Sequence, residues 1–196
     1  MQVAVLAAIA LQLLVNTNLV VGPKYAVAGF EILLLFALAV VRPGEHSARM
    51  HVRRLSAVLL IALISIANIA SLVSVIDALF NGSHVTGRDL IISAIAIYLT
   101  NIIIFGLWYW ELDNVGENTR DFLFPQMTAG AEATHQPHWQ PTFFDYLYVS
   151  VTNGSAFSPT DTLPLTRRAK LLMALQALIS LATVALVAAR AVNILS

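Results

Sequence analysis

Leu90 to Glu111 reads LIISAIAIYLTNIIIFGLWYWE. No charged side chain interrupts this run before its last residue, and its 22 residues exceed the ~20 that a helix needs to cross ~30 Å of hydrocarbon. Four further apolar runs surround it. Met1 to Val21 is closed by Gly22-Pro23, and Tyr25 to Val41 by Arg42-Pro43-Gly44. Leu55 to Phe80 is closed by Asn81-Gly82-Ser83, and the last run is Arg167 to Leu195. The pattern predicts an all-α, polytopic membrane protein with five transmembrane helices. The run over 25–41 is the shortest, at 17 residues, and needs an extra turn from Pro23-Lys24 or a thin bilayer. The first run has no charged segment ahead of it and no clean small-residue cleavage pattern, so it reads as a retained helix rather than a signal peptide.

Composition agrees. The 196 residues are 58% hydrophobic and 11% charged, against ~45–50% and ~25% in soluble domains. Twenty-two charged side chains cannot cover a compact soluble domain of this size, which excludes a soluble enzyme, a disordered chain and a nucleic-acid binder. Eleven basic and eleven acidic residues leave no net field to steer a charged partner. With no cysteine, disulfides and thiolate metal sites are excluded.

Between the fourth and fifth runs the chain changes character. Residues 113–141 are polar and contain three prolines. Thr142 to Thr152, TFFDYLYVSVT, is aromatic and β-branched but too short to cross, and Asn153 to Thr166 is rich in Ser, Thr and Pro. A short apolar helix followed by polar extended chain predicts a re-entrant segment, which is tolerated at membrane depth only where it is buried in protein or lines a wet cavity. Trp108, Tyr109 and Trp110, with Trp139, Phe143, Phe144, Tyr146 and Tyr148, are expected to form an aromatic belt at one interface.

Asp145 to Leu172, DYLYVSVTNGSAFSPTDTLPLTRRAKLL, resembles the pore region of the two-helix potassium-channel superfamily. In that family an aromatic-rich pore helix leads into the filter TVGYG, then an Asp, then a Pro and a Thr before the inner helix. Laid without gaps, Tyr148 and Ser150 fall on the pore helix and Asp161 on the acid after the filter. Pro164 and Thr166 fall on the Pro and Thr beyond it, and Lys170-Leu171-Leu172 on the inner-helix start. The resemblance covers about residues 90–195. It implies two regions: 1–87, a three-helix membrane region, and 88–196, a pore-domain-like region. The latter divides into an outer helix (90–111), a polar loop (113–141), a pore-like helix and loop (142–166) and an inner helix (167–195). It implies Ser155, Ala156, Phe157, Ser158, Pro159, Thr160, Asp161 and Thr162 as filter or pore-lining residues. It also implies a homotetramer, since one loop cannot encircle an ion, with monovalent cations as the permeant species.

The filter itself departs from the family pattern. Its two glycine positions hold Ser158 and Thr160, which resist the backbone conformations glycine allows. Pro159 fixes φ near −65° and restrains Ser158. The standard carbonyl ladder is therefore not expected, and the last run has no glycine hinge. Two readings follow. In one, the hydroxyls of Ser155, Ser158, Thr160 and Thr162, with Asp161 at the mouth, line a weakly selective cation path. In the other, the loop is a structural hairpin and nothing conducts; Ser-Pro-Thr-Asp is a good turn sequence, and Asp or Thr caps the helix that follows.

Call the face carrying the 42–54 loop and the re-entrant segment side A. It holds Arg42, Arg49, Arg53, Arg54, Arg120, Arg167, Arg168 and Lys170, against Lys24, Arg88 and Arg190 on side B. Eight against three places side A in the cytoplasm, whereas the channel resemblance implies that the pore loop faces outward.

Six polar side chains are expected inside the spans. Glu31 lies near the middle of its run, where an ionised carboxylate costs ~2.5–3.5 kcal/mol. Depth arithmetic offers Arg190, assisted by Asn16, as its partner; the alternative is a neutral Glu31 with Arg190 reaching to side B. Asn68 and Asn101 sit mid-span in runs joined by a tight turn and are expected to bond to each other. Gln12 has no evident partner. His135, His138 and Glu132 sit in a polar loop and are expected to be solvated rather than to bind metal. Asn81-Gly82-Ser83 and Asn153-Gly154-Ser155 match the glycosylation sequon, the second incidentally. No nucleophile–base set or inverted repeat is visible, so neither an enzyme nor a typical transporter is expected. The expectation is a multi-pass plasma-membrane protein whose partners are the lipid bilayer and cations, with no cofactor, metal or nucleic acid.

Overall fold

The computed structural model describes residues 2–20, 23–40, 47–81, 85–113, 120–128, 139–156 and 161–195. They form six helices: α1 (Gln2–Leu14), α2 (Lys24–Val40), α3 (Ser47–Phe80), α4 (Gly87–Asp113), α5 (Phe143–Ala156) and α6 (Arg167–Leu195). Two short strands, β1 (Phe122–Leu123) and β2 (Leu163–Pro164), pair antiparallel with Phe122 opposite Pro164 and Leu123 opposite Leu163. The fold is all-α.

Among the described residues, three helices are long and apolar enough to cross a membrane: Val52–Phe80, Gly87–Asp113 and Arg167–Arg190. α1 is shorter than the apolar run that contains it, whereas α2, at 17 residues, matches the length of its own. α1 has 13 residues, or ~20 Å at 1.5 Å per residue. It ends because Asn16 sets a turn: its Oδ1 accepts the Asn18 amide at 3.0 Å and caps a single 3-10 turn over Thr17–Leu19. α3 is longer than its apolar run. No helix breaker stands between Pro43-Gly44 and Leu55, so the helix starts at Ser47 and extends over 34 residues.

The later helices start where side chains cap their amides. The Thr86 hydroxyl accepts the Asp89 amide at 3.2 Å ahead of α4. Ahead of α5, the Asp145 carboxylate reaches back to the Thr142 amide and hydroxyl at 2.6 and 2.8 Å, one half of a capping box. Thr166 accepts the Ala169 amide at 3.3 Å and caps α6.

α4 is the hub, packed against α1, α3, α5 and α6, while α2 is held by α1 and α3. Two-thirds (67%) of the most apolar window of α4 is buried, against 28% of that of α6. Val5, Ala8 and Ile9 of α1 meet the central core with Leu60, Ile61 and Ile64 of α3 and Ile97, Ile104 and Leu107 of α4. Gly106 permits the closest approach: a Cβ there would lie 3.2 Å from the Leu147 Cα of α5. On one face of the molecule Arg54 of α3 and Glu111 of α4 form an ion pair at 3.9 Å.

Candidate functional site around the half-length helix

α5 runs antiparallel to the C-terminal half of α4. Its first turn lies at the end of α4, where the Tyr146 hydroxyl donates to the Asp113 carboxylate. Further along, Leu147 meets Gly106, and the Ser150 hydroxyl donates to the Ile102 carbonyl at 2.6 Å. Gly154, near the other end of α5, packs against Ile102 of α4 and against Gln176 and Ser180 of α6. Asn101 and Ile102 are at the middle of α4, so α5 stops about halfway along its neighbour. β2 then lies beside β1, which follows the end of α4. The chain is therefore back at the level from which α5 started.

Side chains of three helices meet in a polar network inside this corner. Gln176 of α6 is fully buried. Its amide donates to the Ser150 carbonyl and hydroxyl at 2.8 and 2.7 Å. Its oxygen accepts from the Tyr109 hydroxyl at 2.5 Å and from Asn153 Nδ2 at 2.9 Å. Asn153 also donates to the Met173 carbonyl at 2.9 Å. Asn101 donates to Ser180 Oγ at 3.0 Å and, more weakly, to the Gln176 carbonyl at 3.4 Å. In an apolar surround each bond replaces an unsatisfied group, so the set locks the depth and rotation of α5.

A second cluster fixes the upper end. Asp113 accepts the amides of Asp121 and Phe122 at 2.5 and 3.3 Å as well as the Tyr146 hydroxyl. The Asp121 carboxylate accepts from Thr166 and from Arg168 Nε at 2.8 Å, and its other oxygen lies 2.8 Å from Arg168 Nη2. The Leu165 amide donates to the Asp121 carbonyl at 2.8 Å. Burial, and then the hydrogen bond and negative charge of Asp113, push the Tyr146 phenol above its ordinary range. Tyr146 is ringed by Trp110, Phe122 and Phe124, with centroids 5.5, 6.0 and 5.2 Å away. Tyr109 and Tyr146 are thus core residues rather than members of an interfacial belt, because their hydroxyls find partners only inside the helix junction.

The expected site residues fare unevenly. Ser155 is exposed and returns its hydroxyl to the Val151 carbonyl at 2.7 Å. Ala156 closes α5, Asp161 is exposed and Thr162 is buried. Phe157, Ser158, Pro159 and Thr160 lie outside the described residues, as do Glu132, His135 and His138. Asn153-Gly154-Ser155 is helical, and the Asn153 amide is buried and bonded; it is a packing residue.

Three expected partnerships are corrected. Asn101 bonds to Ser180 rather than to Asn68, because its face of α4 turns toward α6. Glu31 is fully buried beside Gln12, and it forms no ion pair with Arg190 among the described residues. The reason is topological: α2 packs on α1 and α3, whereas α6 packs on α4 and α5. Asn16 does not assist Glu31; its side chain caps the turn after α1, and its amide donates to Ser93 Oγ at 3.0 Å. Gln12 does have a partner, the Ile64 carbonyl at 3.2 Å.

Sequence reasoning missed Gln176, Asn153, Asp113 and Asp121. The signal for the first was present: Gln176, Ser180 and Thr183 recur at helical spacing in an otherwise apolar run and so share one face. No family model matches the chain, and neither does any curated protein or solved structure.

Proposed function

We propose that α4, α5 and α6 form the pore unit of an ion-channel-like membrane protein, with α5 as a re-entrant helix and the chain over 157–162 as its return loop. The observation that carries this reading is the half-length helix, which starts beside Asp113 and ends opposite Asn101 and Ser180. Fourteen residues of α5 cover ~21 Å. The seven residue steps from Ala156 to Leu163 reach at most ~25 Å when extended, enough to regain the starting level. In this reading α1 and α2 complete a five-span bundle with α3, α4 and α6.

A helix that ends at mid-depth directs its unpaired carbonyls and about half a negative charge into the apolar layer. That end favours a cation, and Asp161, two residues before β2, supplies an acidic entrance at the other end of the loop. Assembly is supported by the apolar faces that one chain leaves open: Phe144, Tyr148 and Val151 on α5, and Leu171, Leu175 and Leu178 on α6. Four copies joined through these faces would place four α5 ends around one axis. A second reading, a non-conducting scaffold, is favoured by the network itself, whose Gln176 and Asn153 amides are spent on bonds within the chain.

Flux of K⁺, Na⁺ and H⁺ through purified protein in liposomes separates the two. The channel reading expects a cation flux that Asp161→Asn weakens. Folded protein that passes none of these ions at any membrane potential leaves the scaffold reading in place.

A further inference from the structure

A groove of about 260 Å³ lies between α4 and α6, away from the polar corner. It is lined by Ile95 and Tyr98 of α4 and by Thr183, Val184, Val187 and Ala188 of α6. The lining is almost wholly apolar, since Thr183 turns its hydroxyl back to the Ile179 carbonyl at 2.7 Å. The volume falls below the ~300–1,000 Å³ of pockets that enclose drug-sized ligands. It suits a slender apolar segment lying along the helices.

Val187 also lines the recess that holds Arg190, together with Leu79 of α3 and Leu90 of α4. Arg190 Nε is buried and has no hydrogen-bond partner, and no carboxylate pairs with the guanidinium among the described residues. The geometry follows from the antiparallel course of the two helices. Residue numbers rise along α4 as they fall along α6, so Arg190 stands level with Leu90, in the first turn of α4. The groove meets that recess at Val187 and reaches as far as Tyr98, eight residues or ~12 Å beyond Leu90 toward the middle of the helix. A cation at the helix end and an apolar channel leading inward from it match the head and chain of one kind of molecule.

We infer that this groove binds an anionic phospholipid, with its phosphate on the Arg190 guanidinium and one acyl chain along Ile95, Tyr98, Val184 and Ala188. Charge complementarity selects the anionic head, because a half-buried guanidinium with its Nε unbonded and no protein anion beside it gains most from a phosphate. The flanking apolar wall selects a lipid over a soluble anion. The site is separate from the α5 corner and stands whether or not that corner conducts.

The test is native mass spectrometry of the full chain released from membranes of equal phosphatidylcholine and phosphatidylglycerol content. Phosphatidylglycerol should be retained about fivefold over phosphatidylcholine, the preference that one arginine near an anionic membrane surface supplies. Arg190→Gln should bring the two lipids to parity, and Arg190→Lys should keep part of the preference. Ala188→Trp, at an exposed position, should fill the groove and lower phosphatidylglycerol retention while leaving Arg190 in place. Glycerol phosphate should not compete. Equal retention of both lipids by the unaltered protein, or an undiminished preference in Arg190→Gln, overturns the assignment and leaves Arg190 as a side chain reaching for water. Full retention in Ala188→Trp, or displacement by glycerol phosphate, overturns the acyl-chain seat.

Discussion

Asn101 Nδ2 donates to Ser180 Oγ across 3.0 Å, joining the middle of α4 to α6 at the level where α5 ends. Gly154 of α5 lies against the same hydroxyl, its missing Cβ leaving only 3.3 Å of clearance. The bond and the glycine together set how far α5 reaches along its neighbours. The depth of that short helix is therefore held by specific pairs rather than by hydrophobicity alone.

Gln176→Leu should be among the most damaging single changes in α6. It keeps the volume but takes the acceptor from the Tyr109 hydroxyl and one bond each from the Asn153 amide, the Ser150 hydroxyl and the Ser150 carbonyl. Interhelical hydrogen bonds in membranes average ~0.6 kcal/mol and reach ~1.7, so losing several predicts about 2–3 kcal/mol of destabilisation in detergent unfolding. Leu181→Ala, on an open face of the same helix, should lie within ~0.5 kcal/mol of the parent. Equal effects from the two changes would show that the network does not hold the corner.

Two glycine-to-alanine changes should have opposite signs. At Gly106 the added Cβ meets the Leu147 backbone at 3.2 Å, so α4 and α5 must separate. At Gly29 nothing lies within 4 Å, and alanine there should stabilise α2 by up to ~1 kcal/mol through helix propensity. Thermal unfolding of both variants in one detergent reads the contrast directly.

Alkaline stability should depend on Tyr146. Its phenol is raised above the ordinary value of 10.0 by burial and then by Asp113. A raised folded-state pKa gives stability that is fully present below the unfolded value and is lost as pH rises beyond it. The contribution of Tyr146 to stability should be flat through neutral pH and fall above about pH 10. Tyr146→Phe should show a shallower fall above that pH, from a lower starting stability because Asp113 loses a donor. An unchanged slope in the variant would remove Tyr146 from the explanation.

The absence of native cysteine makes topology directly measurable. Single cysteines at Thr142, Asp161 and Leu165 should react with an impermeant maleimide from the same side of the membrane. A cysteine at Arg88 should react from the other. Labelling of the 142 and 161 positions from opposite sides would mean that α5 and its loop cross the bilayer, contrary to the re-entrant reading. The same experiment decides whether side A faces the cytoplasm.

Much of the architecture is legible in the chain. Leu90–Glu111 and Arg167–Leu195 declare α4 and α6 within a few residues, and the aromatic run from Thr142 marks α5. The misses are local as well as long-range. Asn16 reads as part of an apolar run, yet its side chain bonds the amide two residues on and ends α1 early. Asn153 reads as the start of a polar loop, yet α5 continues through it to Ala156, because Gln176 and the Met173 carbonyl satisfy its amide.

The sequence by itself determined that this protein belongs in a membrane, where its long helices lie and that the helix following Thr142 is too short to cross. Those outcomes follow from transfer free energies summed along a single segment, whatever its neighbours are. Only the tertiary structure decided the partners: Asn101 with Ser180, Gln176 with Tyr109, Ser150 and Asn153, and Arg190 apart from Glu31. Such choices depend on the rotation of each helix about its axis and on which helices touch. Apolar runs this uniform constrain neither, since nearly every face is equally content in lipid, and the few polar side chains select the register only once the helices are side by side.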